Sequence, residues 1–209
     1  MSEEPQTVCL KYYGISPWEI EVIYDLFNGK FRIIQEETEQ NKENFVSALT
    51  IDIPLPFSEE FFKWFEFKVW GKVKSIIKEM KRRRGKGNAI VVEIFFAGKP
   101  NVRFVTDLNE NHDFNDAVEK IDFVVELFPY HLNDSNIPND PIEVLYKYDI
   151  ESGKWKLNQI WTSFGSSMEQ KKFIFTKKGW NPVTSYLSLM VQPLNEVLCI
   201  LYLRILMLQ

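Results

Sequence analysis

Cysteine is scarce in this chain: 209 residues contain only Cys9 and Cys199. Two thiols so far apart are too few to suggest a disulfide framework, and both lie in segments expected to be apolar, where thiols tend to be inert. A reducing compartment, the cytoplasm, is the expectation. Histidine is equally scarce, with His112 and His131 alone. No Cys or His pair has the short spacing that structural zinc requires, so no metal site is expected. The nine glycines form neither GxxxxGK[ST] nor GxGxxG, which excludes the familiar phosphate cradles. No GxSxG elbow occurs, and "SFGSS" (163–167) reads as a flexible loop. The start, MSEEPQTV, has neither the basic nor the apolar region of a secretory signal. No cofactor and no catalytic residue follow from these absences. An enzyme with a motif-free site stays open as an alternative, because an active site need not leave a local motif.

One calcium-like stretch needs testing. "DLNENHDFNDAVE" (107–119) sets Asp107, Asn109, Asn111 and Asp113 at positions one, three, five and seven of an EF-hand loop. The sixth position is His112 instead of the turn glycine, and the twelfth is Val118 instead of the bidentate glutamate. A helix start capped by Asp113 or Asn115 accounts for the same residues.

The chain is well supplied with core-forming residues. It is 45% hydrophobic and 26% charged, an ordinary globular composition, and its aromatics include 17 Phe and 6 Trp. The net charge of −4 argues against a surface built wholly for nucleic acid.

The first hundred residues alternate strands with helices. "TVCLKYY" (7–13) reads as a strand. "SPWE" (16–19) supplies a full capping box, with Ser16 at the N-cap, Pro17 at N1 and Glu19 at N3. The helix it opens should run to Phe27, with Asn28-Gly29 as a left-handed stop. "KFRIIQ" (30–35) and "FVSALTIDI" (45–53) read as strands. Ser58 then caps a long helix, 58–84, with Phe57 and Phe62 spaced as a hydrophobic staple. "NAIVVEIFFAGKPNVRFVTD" (88–107) is a hairpin turning at Gly98 and Pro100.

This order is βαββαβ, the ferredoxin-like or split βαβ arrangement, with an extra strand. Beyond it come an amphipathic helix at 113–128, a three-stranded antiparallel meander (142–161 and 172–176) and an apolar C-terminal helix from Val183 to Gln209. The fold class is α+β. The natural division is 1–131 and 132–209, with "LNDSNIPNDP" (132–141) as the junction, unless the two form one continuous domain.

Two features of the helix 58–84 stand out as candidate partner contacts. "FFKWFEFKVW" (61–70) has six aromatics in ten residues on more than one face, with Phe61, Trp64, Phe67 and Trp70 as anchors and Gly71 allowing close approach. Between Lys63 and Lys86 there are ten Lys and Arg against two Glu, a local charge of +8. The run Lys81, Arg82, Arg83, Arg84 complements the helix dipole and could also meet an acidic partner. RNA recognition by an RRM-type sheet needs several aromatics on the third strand, which here offers Phe45 alone. The C-terminal segment is long enough to span a bilayer, but Glu196 and Arg204 would be costly there, so it is expected to pack on the strands at 142–176.

The resulting expectation is a non-catalytic binding protein whose partner is another protein, with homodimerisation as one form of this. A nucleic-acid binder using residues 81–86 is the alternative, and neither nucleic acid nor membrane is the expected partner. Calcium and zinc should leave the melting temperature unchanged, since a ligand selective for the native state must raise it. Scanning fluorimetry with each ion checks this. A rise abolished by Asp107→Ala or His112→Ala would show that the 107–119 loop binds metal.

Overall fold

Each helical connection in the first two-thirds of the chain returns to the strand beside the one it left. The computed structural model describes residues 6–42, 44–133, 137–164, 167–176 and 179–183. The first unit is β1 (Thr7–Tyr13), α1 (Pro17–Asn28) and β2 (Arg32–Glu37). The second is β3 (Ala48–Ile53), α2 (Glu59–Phe65), α3 (Phe67–Arg84) and β4 (Val91–Phe96). The third is β5 (Asn101–Thr106), α4 (Asn111–Glu119), α5 (Val124–Leu132) and β6 (Pro141–Asp149). With β7 (Lys154–Phe164), β8 (Ser167–Thr176) and β9 (Gly179–Pro182), the described residues form a mixed sheet of nine strands, in the order β2-β1-β3-β4-β5-β6-β7-β8-β9.

The βαββαβ order and the extra strand are present, but the ferredoxin-like strand order is not. A split βαβ inserts a strand between the two that a helix joins. Here β1 lies directly beside β2, β3 beside β4 and β5 beside β6, each pair parallel, while the units meet antiparallel. The turn after α1 leads directly into this placement. Lys30 and Phe31 both donate backbone hydrogen bonds to the Phe27 carbonyl, and Arg32 then donates to Gln6 at the start of β1. The chain therefore enters β2 already paired with β1. Gly29 is right-handed in this turn (φ −68°), not the left-handed stop expected.

One face of the sheet carries the large core. Val8, Leu10, Ile51, Ile94, Phe104 and Tyr146 point from it into a single cluster with residues from all five helices. Phe57 lies near its centre, with ring centroids 5.0–5.8 Å from Phe62, Phe96, Phe104 and Phe128. The expected staple is thus in place. The opposite face carries a small cluster around Tyr13, Val91 and Leu145 and a ladder of ions, Lys42–Glu93–Arg103–Glu143. The sheet continues from β5 to β6 across residues 131 and 132.

Both long helices expected from the sequence are broken, each for a packing reason. The helix 58–84 breaks at Glu66, where φ is +71°. Phe61 and Trp70 are nine residues apart, about two and a half turns, so an unbroken helix would set them on opposite sides. Both are buried (3% and 0% exposed), and the break makes that possible. The helix 113–128 is interrupted after Glu119 and resumes as α5, which continues past Phe128 to Leu132. Asp122, in the interruption, accepts from Lys74 Nζ (2.8 Å) and Trp70 Nε1 (3.3 Å) in a nearly buried pair with α3. α4 starts early, at Asn111, so neither Asp113 nor Asn115 caps it. The meander is present and gains β9. Residues 184–209, which hold nearly all of the expected C-terminal helix, lie outside the described residues.

Two glycines give opposite expectations. Gly14 joins β1 to α1 at φ +62°, and a Cβ there would meet the Val46 carbonyl oxygen at 2.5 Å. Gly71 lies inside α3 with nothing within 4 Å of a built Cβ, so it provides no close approach. Urea denaturation should show Gly14→Ala losing at least about 1–3 kcal/mol, and Gly71→Ala gaining about 0.5–1 kcal/mol from helix propensity.

Candidate partner-binding surface

The sequence-derived candidates divide into a buried set, a self-paired set and an exposed set. Phe61 and Trp70 belong to the core, and Trp70 also donates to Asp122. They bind the protein to itself.

The four basic candidates are engaged internally. Lys81 is fully buried, and its Nζ donates to the Gly87 carbonyl (2.8 Å) while lying 5.6 Å from the Phe114 ring centroid. Burial pushes its pKa down. Arg82 grips Glu79 with two hydrogen bonds of 2.6 Å, and Arg83 adds a third at 2.8 Å. These two guanidinium groups hold the Glu79 carboxyl down at about 2. The Arg83 guanidinium also sits 4.9 Å from the ring of Trp18, an exposed aromatic that the sequence reading passed over.

Arg84 makes the most consequential of these contacts. Its two terminal nitrogens meet both Glu19 carboxylate oxygens at 2.9 and 2.8 Å, and they donate further to the carbonyls of Met80 and Gly14. Glu19 is the N3 residue of the α1 capping box, so its carboxylate serves Ser16 and Arg84 together. Of the other cations in the +8 stretch, Lys63, Lys74, Lys78 and Lys86 each pair with a carboxylate. Only Lys68 and Lys72 lack such a partner among the described residues. Arg82 and Arg83 share the single Glu79 carboxylate and keep exposed side chains, whereas Lys81 and Arg84 are buried or nearly so.

Trp64 and Phe67 remain exposed, at 46% and 49%, on either side of the break at Glu66. Their immediate surroundings hold them in place. Trp64 packs edge-on against Phe31 at 5.2 Å, and Phe67 stacks on Phe62 at 5.9 Å. Lys30 donates to the Trp64 carbonyl (2.9 Å), lies 5.3 Å from the Trp64 ring and pairs with Glu66 at 3.3 Å. The result is an apolar elbow with one cation and one anion beside it. The composition of 61–70 identified the aromatics. Lys30 and Glu66 left no sequence signal, since their roles come from a contact thirty-six positions long.

A polar groove of about 490 Å³ between α3 and α4 is the other concavity near the candidates, lined in part by Glu79, Arg82, His112, Asp116 and Glu119. Its carboxylates are tied to cations. Asp116 is held low by Lys120 and Tyr148, and Glu119 by Lys78. Paired, ionised carboxylates are poor candidates for proton transfer near neutral pH. The described residues contain no group of three or more His, Cys, Asp or Glu able to hold a metal ion. No helix among them is long and apolar enough to cross a membrane.

Compared with known protein families, curated proteins and solved structures, the chain matches none.

The Glu19–Arg84 pair sets an acid limit on stability. Arg84, with help from Ser16, lowers the Glu19 pKa from the ordinary 4.5 to about 2. A depressed carboxylate stabilises fully above its unfolded pKa and loses that contribution as pH falls through the folded value. Up to about 3 kcal/mol should therefore disappear between pH 4.5 and 2. Urea titrations across that window should show the loss in the wild type and a shallower one in Glu19→Gln.

Proposed function

We propose that this protein is a non-catalytic binding module whose partner is another protein, and that the elbow formed by Trp64 and Phe67 is its contact surface. One observation carries the reading: two large aromatic rings stand half in solvent on a backbone break that the fold holds fixed. Interfaces are enriched in Trp and Phe, and rings already held by neighbours lose little freedom on binding. Lys30 and Glu66 offer a polar rim to the same contact. A second copy of the chain is one form such a partner can take. The cytoplasmic assignment belongs to this reading, and the free thiol of Cys9 is in keeping with it. The internal pairing of Lys81, Arg82, Arg83 and Arg84 counts against nucleic acid as the ligand.

The test compares wild type with a Trp64→Ala/Phe67→Ala variant in affinity capture from the native host, followed by binding measurements on the captured protein. Removing two interface anchors should weaken binding by about 30-fold or more, the scale of a hot-spot loss, while circular dichroism remains unchanged. Retention of the partner at wild-type strength by the variant would refute the assignment of the elbow. Nucleic-acid probes in fluorescence anisotropy should bind weakly and release as salt is raised.

A further inference from the structure

The sheet carries helices over its first six strands but none, among the described residues, over its last three. α5 is the final described helix, and its only fully buried residue is Val124. Beside it, Phe123 is 62% exposed and Leu127 50%. An open trough of about 510 Å³ runs between these side chains and the β6–β7 end of the sheet, with Trp155 in its floor and His131 at its far end. A second depression of about 200 Å³ shares His131 and Trp155 and continues across Leu157, Phe175 and Trp180. The surface is therefore a largely apolar strip along the side where the helices pack, edged by Lys120, Lys154 and Lys156. It ends at β9, where the rings of Phe175 and Trp180 lie 5.3 Å apart.

The chain leaves β9 at this spot. Trp180 lines the strip, Val183 still donates its backbone N–H to the Lys172 carbonyl, and 26 residues, 184–209, follow. Seventeen of those are hydrophobic, and only Glu196 and Arg204 are charged, against 26% charged residues in the chain as a whole. An apolar segment and an apolar strip are thus joined with almost no linker. Short tethers give effective concentrations in the millimolar range, which a separate partner at cellular concentration rarely matches.

We propose that residues 184–209 of the same chain seat in this trough, covering Phe123, Leu127, Trp155 and Trp180. The surface is a docking site for the protein's own C-terminal segment, and it is distinct from the elbow at Trp64 and Phe67. Burial of its large side chains removes from water the most hydrophobic stretch of the sequence.

Hydrogen–deuterium exchange on the full-length protein tests the proposal. Peptides from 184–209 should exchange at least about 100-fold more slowly than a random coil, as expected for a packed segment. Leu127→Asp, a change at a half-exposed position, should reduce that protection at least tenfold while leaving peptides of β1–β5 unaltered. The reciprocal variant Leu201→Asp should speed exchange in peptides covering α5. Protection in 184–209 that ignores Leu127→Asp, or its complete absence in the wild type, would overturn the assignment. So would protection that fades on dilution as a dimer separates in sedimentation, which would place the segment on a second copy. Flotation of the full-length protein with phosphatidylcholine vesicles, with exchange in α5 unchanged by Leu201→Asp, would overturn it in favour of a lipid surface.

Discussion

The need to bury Phe61 and Trp70 at once governs much of this structure. On one straight helix they face opposite ways, and the chain meets the demand by breaking at Glu66 and restarting with a rotated face. α2 then delivers Phe61, Phe62 and Phe65 to the core, and α3 delivers Trp70, Val73 and Ile77. Trp64 and Phe67 are left over on the outer side of the bend. The direction given to α3 also decides where its basic end arrives, against the capping box of α1. The exposed aromatics and the neutralised cations are thus two results of one packing requirement.

The charges show how misleading a local count can be. A stretch of +8 looks like a surface waiting for an anion, yet eight of its ten cations meet a carboxylate or carbonyl, four of them (Lys74, Lys78, Arg84 and Lys86) from elsewhere in the fold and four from the same helix or the loop that follows it. Glu19 is the clearest case. It belongs to a local motif, the capping box, and simultaneously receives a guanidinium sixty-five residues away. Neither role interferes with the other, because Arg84 approaches both carboxylate oxygens while only one faces Ser16. Such an arrangement is worth more than an exposed pair, since little solvent remains to screen it.

What could be read from the sequence was whatever is decided within a few residues. The Ser16–Glu19 box, the Phe57–Phe62 staple and the antiparallel meander from 142 onward all depend on near neighbours, and all are present. The mixed α/β character followed from the alternation of strand and helix signals. Two local readings missed, the left-handed stop at Gly29 and the cap of α4, and the larger failures involve distant partners. Nothing local distinguishes a strand that returns beside its predecessor from one that leaves a gap, so the ferredoxin-like order was a natural but wrong extrapolation. The break at Glu66 lies within an uninterrupted run of helix-compatible residues and is imposed by the core on both sides of it. Within the candidate site, the aromatic composition was visible, but which rings would be buried was not. Exposure is a property of the packed helix: Phe61 is buried and Phe67 half-exposed, although both are phenylalanines of one aromatic run.

The strand order has a consequence for how the chain reaches this state. Every strand pairs with one that precedes or follows it directly, or, for β1 and β3, with a single strand between. No strand has to wait for a distant segment before it can join the sheet. Loop closures are therefore short relative to chain length, and topologies of that kind fold faster than those built on remote pairings. The sheet can grow in the direction of synthesis, from the β1–β2 unit toward β9, each new unit adding to an edge already formed. A growing edge is also an adhesive one. Among the described residues the last strand to be added is the short β9, four residues long, which limits how much pairing surface that edge offers to another chain.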